Sequence, residues 1–140
     1  MNLLDTGDFY GAGHNEMLIG RALKTRKKGA AMLSVKFGAL RTPGGGWGGV
    51  DGRPIAVRNF LTYTLTRLGV DHIDIYRLAR LDPNVPIEET VCAIAELVKS
   101  GPVRYIALSE FGAETIRRSH PVHPICDLPI GYPLVHPSPV

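Results

Sequence analysis

Short apolar runs alternate with helical patterns along this chain, and this alternation limits the possible folds more than any other feature. The runs predicted as strands are Leu3–Asp5, Ala30–Val35, His72–Tyr76, Val103–Leu108 and Ile125–Ile130. The spacing of apolar residues predicts helices that begin near Asn15, Ile55, Pro86 and Ala113 and end near Lys24, Leu68, Gly101 and Arg118. Such alternation indicates an α/β fold with a parallel sheet. Both an open doubly wound sheet and part of a (β/α)8 barrel fit the pattern, since five strands are too few for a complete barrel.

Three local features refine this prediction. The segment Gly38–Gly52 is so rich in glycine that it is predicted to be a long loop. Asn15 is expected to cap the first helix. Pro129 weakens the last predicted strand, because proline cannot donate a hydrogen bond to a neighbouring strand, and the proline-rich tail beyond it is expected to be irregular.

Length and charge narrow the class of protein. A chain of 140 residues has the length of one ordinary domain and can bury a sizeable core. Its formal charge of +3 comes from scattered residues. The one dense basic run, Lys24–Lys28, is interpreted as a solvated helix end because no aromatic residues or recognition motifs accompany it. We therefore expect no nucleic-acid partner.

Other sequence features predict an intracellular, metal-free protein. Cys92 and Cys126 fit no metal or redox spacing and stand among apolar residues, which predicts reduced core cysteines in a cytoplasmic protein. No secretion signal, lipidation motif or apolar run near the ~20 residues needed to cross a bilayer is found, so no membrane partner is expected. His120, His123 and His136 lack cysteine or acidic partners at a suitable spacing, and no metal site is predicted.

Polar side chains follow the first two predicted strands. Asp5 ends the first strand, Tyr10 lies on the turn after it, and Lys36 ends the second strand. Ligands bind at the carboxyl ends of parallel strands, so these groups are candidates for chemistry. Asp5 could instead cap a turn and Tyr10 could be a half-buried loop aromatic, whereas an unpaired Lys36 would be costly to bury. The Gly-x-Gly motif at Gly11 and Gly13 is not followed by the third glycine of a dinucleotide-binding fingerprint.

The chain resembles the aldo/keto reductase superfamily over nearly its whole length. The segments that carry the resemblance are LLDTGDFYGAGHNEMLIGRAL, VKFG, LTRLGVDHIDIY, RLDPNVPIEETVCAIAELVKSGPVRYIALSE and HPICDLPIGYPL. The family pattern of an aspartate five residues before a tyrosine is met by Asp5 and Tyr10. The resemblance implies a partial (β/α)8 TIM barrel of about five β/α units, from the second to the sixth strand. Residues 1–140 would then form one NADP-dependent oxidoreductase domain that is incomplete at both ends.

The resemblance also implies a reaction and the residues that perform it. The expected activity is NADPH-dependent reduction of aldehydes or ketones to alcohols. Tyr10 would donate a proton to the carbonyl oxygen of the substrate, Lys36 would favour the ionised phenol, and Asp5 would hold Lys36 in place. Trp47 falls on a substrate-side loop and would line the substrate pocket, although a flexible surface loop is an equally good interpretation.

The same comparison places cofactor contacts near the end of the chain and identifies several departures. Ser109 and Glu110 align with a Ser-Asn pair that holds the nicotinamide amide, and Glu110 can accept a hydrogen bond there but cannot donate one. Tyr132 would stack on the nicotinamide ring, while Pro129 replaces a glutamine that contacts the cofactor. Ala79 stands where the family usually has a histidine, so one catalytic group is missing.

Two function classes remain open on the sequence alone. The first is the catalytic part of an aldo/keto reductase, favoured by Asp5, Tyr10 and Lys36. The second is an inactive family fragment that acts as a binding or interaction module, favoured by Ala79, Pro129 and the absent strands. An incomplete barrel would leave two sheet edges unpaired, and self-association through those edges is expected.

Overall fold

The computed structural model describes residues 2–25, 29 and 31–129. Seven strands are found in this part of the chain: β1 (Leu3–Gly7), β2 (Met32–Phe37), β3 (Ala39–Arg41), β4 (Trp47–Val50), β5 (Ile73–Leu78), β6 (Val103–Leu108) and β7 (Ile125–Asp127). The helices are α1 (His14–Lys24), α2 (Pro54–Leu68), α3 (Ile87–Ser100) and α4 (Ala113–Ser119), and a short 3-10 turn covers Tyr10–Gly13. The predicted alternation of strands and helices is confirmed.

Five of the strands form one parallel sheet in the order β1-β2-β5-β6-β7. This order follows the chain in one direction and lacks the reversal that defines a doubly wound sheet. Each helix packs against the next one along the chain, which places all four on the same face of the sheet. The arrangement is that of consecutive β/α units in a barrel wall, and the doubly wound alternative is excluded.

The face of the sheet that meets the helices forms the hydrophobic core. Val35 and Phe37 of β2 are fully buried there, and the ring of Phe37 stacks on that of Tyr76 with 3.9 Å between ring centroids. The Tyr76 hydroxyl donates a hydrogen bond to the backbone carbonyl of Val57 at 3.0 Å, which links β5 to α2. Because side chains alternate along a strand, Ser34 and Lys36 of β2 face the other side of the sheet.

The ends of the two longest helices follow local rules of the sequence. Pro54 occupies the first turn of α2, where its missing N–H costs nothing. Gly69 and Gly101 end α2 and α3 in the left-handed conformation, with φ of 67° and 105°. The predictions of both helices are confirmed, with Pro86 as the cap residue of α3 and not its first residue. No helix in the described ranges is long and apolar enough to cross a membrane.

The prediction of an unstructured loop at Gly38–Gly52 is wrong. Residues of this segment form an antiparallel hairpin, in which β3 pairs with β4. The turn between them is closed by hydrogen bonds from Gly45 N–H to the Thr42 carbonyl (2.9 Å) and from Thr42 N–H to the Gly46 carbonyl (3.1 Å). Gly45 adopts φ of 80°, so glycine here serves the turn of a hairpin.

Three smaller predictions also need correction. Cys92 and Cys126 are both exposed and not in the core: Cys92 lies on the outer side of α3, and Cys126 lies on the last strand. That strand is shorter than predicted and covers only Ile125–Asp127, because Pro129 cannot extend the ladder. Asn15 does not cap α1; its side-chain amide donates to the Thr6 hydroxyl at 2.7 Å and ties the helix to β1.

Candidate active site

Asp5 lies at the centre of a network on the face of the sheet that points away from the helices. One carboxylate oxygen accepts hydrogen bonds from the Ser34 hydroxyl at 2.7 Å and from the Arg77 guanidinium. The other oxygen accepts from the Lys36 ammonium. Burial raises the pKa of the Asp5 carboxyl, but the hydrogen bonds from Lys36 and Ser34 and the charges of Lys36 and Arg77 outweigh it, so this pKa lies below its usual value. Asp5 is therefore held as a carboxylate.

Arg77 is a member of this network that the sequence analysis missed. Its side chain is only 4% exposed, and it bridges Asp5 on β1 and Asp127 on β7 from its place on β5. The pairing register puts Arg77 opposite Lys36, which brings both cations to one row of the sheet. The available signal was a charged residue inside the apolar run IDIYRL, because a cation there must face a polar site or an anionic partner.

Tyr10 reaches the same site from the turn after β1. The Lys36 ammonium lies 5.8 Å from the centroid of the Tyr10 ring and donates a hydrogen bond to the Asp5 carboxylate, so Lys36 is near both side chains. The Phe9 ring contacts Tyr10 edge-on, with 4.8 Å between centroids. The chain reverses sharply after Tyr10 through left-handed conformations at Gly11, Ala12 and Gly13. Two of these positions are glycine, which adopts such angles without steric cost.

A pocket of about 210 Å³ opens beside Tyr10 and Lys36. Its lining also contains residues from the turn after β1, from the hairpin, from the segment after β5 and from the segment after β6. These residues are Phe9, Ala39, Trp47, Ala79, Arg80, Ser109 and Glu110. The predicted candidates Tyr10, Lys36, Trp47, Ser109 and Glu110 thus share one cavity, and Asp5 contacts it through Lys36. Tyr132 lies outside the described residues.

Three of the lining residues differ in their exposure and in how the backbone holds them at the pocket. Trp47 is carried by β4 and is 57% exposed. Ser109 is buried, and its N–H donates to the Leu78 carbonyl at 3.1 Å, which fixes the segment after β6 against β5. Glu110 has a φ of 60°, unusual for a residue with a side chain, and its N–H donates to the Pro129 carbonyl at 3.1 Å.

A buried acidic pair lies next to this site. Asp8 follows β1, Glu16 lies on α1, and neither side chain is more than 6% exposed. Arg67 of α2 donates to one Glu16 oxygen at 3.0 Å, while both Asp8 oxygens have no hydrogen-bond partner in the described part of the chain. Burial raises the pKa of Asp8 to about 8, helped by the Glu16 charge and opposed by Arg67. The sequence analysis did not identify this pair.

A larger cavity, of about 630 Å³, lies at the amino ends of the strands and contains none of the predicted site residues. Its polar lining includes Asp74, which accepts hydrogen bonds from the Leu33 N–H at 2.8 Å and from Arg104 at 2.9 Å. These contacts join β2, β5 and β6 and account for Asp74 as a structural residue. Among the described residues, no group of three histidine, cysteine, aspartate or glutamate side chains could hold a metal ion.

Comparison with known proteins gives one consistent result. The sequence model of the Aldo/keto reductase family matches residues 1–139. A probable aldo-keto reductase of Glycine max is 42% identical over 134 residues, which are 96% of this chain and 38% of that protein. The glycerol dehydrogenase of Gluconobacter oxydans superposes with a TM-score of 0.85 at 29% identity, over 93% of this chain and 40% of that one.

A structure of an aldo-keto reductase from Klebsiella pneumoniae in complex with NADPH superposes with a TM-score of 0.73 at 25% identity. The match covers 91% of this chain and 42% of that one. The chain therefore spans about two-fifths of the length of the proteins that it matches. Its sheet and helices correspond to part of a (β/α)8 barrel, and the chain belongs to the aldo/keto reductase family.

Proposed function

We propose that this chain carries the catalytic groups of an NADPH-dependent reductase that converts aldehydes or ketones to alcohols. The observation that carries the proposal is the position of Lys36 and Tyr10 at the wall of one pocket, with Asp5 bound to Lys36. Lys36 is hydrogen-bonded to Asp5, and its ammonium lies 5.8 Å from the centroid of the Tyr10 ring. An oxidoreductase function agrees with membership of the family.

In this proposal Tyr10 donates the proton that the substrate oxygen needs. A phenol that gives up its proton acquires negative charge, and the nearby positive charge of Lys36 stabilises that charge. Asp5 keeps Lys36 in place, and Arg77 and Ser34 keep Asp5 in place. When bound, NADPH supplies the hydride that reduces the carbonyl carbon.

The lining of the pocket fits the nicotinamide end of this cofactor. A carboxamide needs one partner that donates and one that accepts, which the Ser109 hydroxyl and the Glu110 carboxylate can provide. We propose these two residues as the nicotinamide contacts, with stacking on Tyr132 as a further contact. The volume of about 210 Å³ is below the roughly 300–1,000 Å³ of a full ligand site, so it suits a ring and a small substrate.

The proposed substrate is a small carbonyl compound that contacts Trp47. We further infer that residues 1–140 act as one domain of the reductase and that it works in the cytoplasm. The unpaired state of Cys92 and Cys126 agrees with a reducing compartment.

Affinity for the cofactor is expected to be weak in the isolated chain. The described contacts reach only the nicotinamide end, and the chain spans 42% of the NADPH-bound relative. Most of the dinucleotide would therefore remain in solvent. A fluorescence titration with NADPH measures this directly, and a sub-micromolar dissociation constant would show that the cofactor has contacts beyond those proposed.

A non-catalytic binding module is the second candidate, and Ala79 favours it. Its methyl group is 3% exposed at the pocket wall and offers no donor to a carbonyl oxygen. A chain of this kind would bind a small ligand near Trp47 without turnover. Ligand binding that leaves NADPH unoxidised would favour this candidate over the reductase.

The deciding experiment measures NADPH oxidation by the purified chain with butanal as substrate. Tyr10→Phe removes the proposed proton donor and should lower the rate at least 100-fold, in line with general acid catalysis. Tyr63→Phe is the matched control, because Tyr63 is a half-exposed tyrosine on α2 outside the pocket. Equal rates for Tyr10→Phe and the unaltered chain would contradict the assignment of Tyr10.

A further inference from the structure

Arg80, which lies at the pocket wall and pairs with Glu110, has no part in the proposed reaction so far. Arg80 Nη2 lies 2.6 Å from Glu110 Oε2, and Arg80 Nη1 donates to the backbone carbonyl of Ala79 at 2.7 Å. Both side chains line the pocket that contains Tyr10 and Lys36. The guanidinium of Arg80 therefore lies next to Ala79, whose side chain is only a methyl group.

The other polar groups of the pocket already have tasks. Lys36 is engaged with Asp5, and Glu110 accepts hydrogen bonds when ionised but cannot donate one. Ser109 is proposed above as a cofactor contact. Arg80 has five N–H donors, of which the Ala79 carbonyl and Glu110 occupy two.

We propose that Arg80 donates a hydrogen bond to the carbonyl oxygen of the substrate, alongside the hydroxyl of Tyr10. This inference rests on the proposed reductase function. Negative charge develops on that oxygen as the carbonyl is reduced, and a fixed donor that is already oriented lowers the cost of this charge. Arg80 provides the donor that the side chain of Ala79 lacks.

Glu110 is the positioning residue for Arg80. Its left-handed backbone conformation, with φ of 60°, is strained for a residue with a side chain. The hydrogen bond to the Pro129 carbonyl and the ion pair with Arg80 hold it there. Such strained residues concentrate at functional sites, where they aim a group at a ligand.

The pair also defines the class of substrate. Glu110 neutralises Arg80 and occupies one side of its guanidinium fork, so a carboxylate on the substrate would meet a negative charge instead of a free fork. A neutral carbonyl oxygen needs only one of the remaining donors. The geometry therefore favours neutral aldehydes and ketones over keto acids.

The test compares Arg80→Ala with Arg118→Ala in the full chain. Arg118 pairs with Glu88 outside the pocket, and its side chain is 50% exposed, close to the 49% of Arg80. Arg80→Ala should lower kcat/KM for butanal about 10- to 100-fold, the effect of losing one hydrogen bond to a charged oxygen. The NADPH dissociation constant should change much less than kcat/KM, because the hydrogen bond to the Pro129 carbonyl still holds Glu110 in Arg80→Ala, and Arg118→Ala should change neither value.

A rescue variant separates a contact with the substrate from a structural effect. Ala79→His, added to Arg80→Ala, places an imidazole donor on the same wall. It should recover part of the lost rate and introduce a pH dependence near the ordinary histidine pKa of about 6.5. If Arg80 had only a structural role, Ala79→His would change the rate by the same factor with Arg80 present as in Arg80→Ala, whereas two donors to the same oxygen would not act independently.

Binding is read independently of turnover through Trp47, which is the single tryptophan of the chain and lines the pocket. If the unaltered chain reduces butanal and Arg80→Ala does so equally well, the Arg80 inference is wrong while the reductase function stands. If NADPH is not oxidised but butanal changes Trp47 fluorescence with an affinity that only Arg80→Ala weakens, the contact stands and the reductase function fails. If there is no turnover and butanal titrations of Trp47 fluorescence are identical for the unaltered chain, Arg80→Ala and Arg118→Ala, the proposed contact is wrong as well.

A charged substrate tests the proposed substrate class. A preference for succinic semialdehyde over butanal that Arg80→Ala abolishes would assign Arg80 to a substrate carboxylate and overturn the proposed role.

Discussion

At the scale of single residues, Asp8 links the stability of the chain to pH. Its pKa rises from an ordinary value of 3.8 to about 8 in the folded chain, because burial and the Glu16 charge disfavour the carboxylate. Between these two values the folded chain holds a proton that the unfolded chain releases. The contribution of Asp8 to stability is therefore fully present below pH 3.8 and is lost as pH rises towards about 8.

Asp8→Asn should remove this dependence. Asparagine keeps the shape of the protonated acid and does not ionise. The free energy of unfolding of Asp8→Asn should therefore fall less steeply with rising pH than that of the unaltered chain, and the two slopes should differ by up to about 1.4 kcal/mol per pH unit. Urea unfolding between about pH 5 and 8 measures the slope. Asp51→Asn is the control: the hydrogen bond from Arg53 lowers the pKa of Asp51, so its contribution is lost only in acid. An unchanged slope in Asp8→Asn would contradict burial of an ionisable Asp8.

Arg77 should contribute more to stability than other paired arginines of the sheet. Arg77→Lys keeps the charge but cannot bridge Asp5 and Asp127 together, and we expect a loss of about 1–2 kcal/mol. This is below the roughly 3–5 kcal/mol of a fully buried pair, because the two carboxylates are 40% and 43% exposed. Arg104→Lys, at a mostly exposed arginine paired with Asp74, should cost at most about 1 kcal/mol. Equal losses in urea unfolding would show that the bridge has no special role.

The site residues that could be predicted from the sequence are those that stand at the ends of neighbouring predicted strands. Asp5 and Lys36 follow neighbouring strands, and parallel strands end at the same edge of a sheet. Arg77, Asp8 and Glu16 were missed because their significance depends on contacts across the fold. Arg77 depends on partners on the two edge strands, β1 and β7, and the two acids depend on burial against α2. The burial of the two acids leaves no local pattern in the sequence, and the local signal of Arg77 is limited to a charged residue inside the apolar run IDIYRL, which does not identify its partners.

At the scale of elements, the hairpin of β3 and β4 was the main error of the sequence-based prediction. Glycine lowers strand propensity, and the segment WGGVDG lacks the alternating apolar residues of a half-buried strand. The strands form because the segment is short, its turn is favoured by glycine, and Asp51 N–H donates to the Gly38 carbonyl at 2.9 Å to close its base. The α/β pattern, by contrast, could be predicted because buried strands and amphipathic helices have different periods.

The turn of this hairpin offers a matched pair of glycines. Gly45 has φ of 80° while the neighbouring Gly44 has no positive φ, and an added Cβ would meet no atom within 4 Å at either position. Gly45→Ala should cost about 1 kcal/mol through backbone strain alone, and Gly44→Ala should be close to neutral. Urea unfolding measures both, and the emission of Trp47 on β4 reports whether the hairpin has moved. A neutral Gly45→Ala would mean that the turn adopts another conformation.

At the scale of the whole molecule, the four helices cover one face of the sheet, and the other, called the open face below, carries exposed apolar side chains within the described part of the chain. On the open face Leu3, Met32 and Tyr105 are 43%, 42% and 50% exposed, although they lie on strands whose other face is buried. The strands β1 and β7 are the edges of this sheet within the described part of the chain. Each edge presents backbone donors and acceptors along one side, and exposed apolar area costs about 25 cal/mol per Å².

We therefore expect the isolated chain to self-associate. Strand pairing at the edges and burial of the open face would both be gained in a dimer or larger assembly, and Pro129, just beyond β7, should partly protect that edge because it has no N–H to donate. Size-exclusion chromatography with light scattering measures the assembly. Tyr105→Lys should shift it towards the monomer by placing a charge on the open face, while Tyr63→Lys, at a tyrosine 52% exposed on the helix side, should not. A monodisperse monomer would contradict self-association, and a sharp, cooperative thermal transition of that monomer would show that the core between the sheet and the helices is stable without a partner chain.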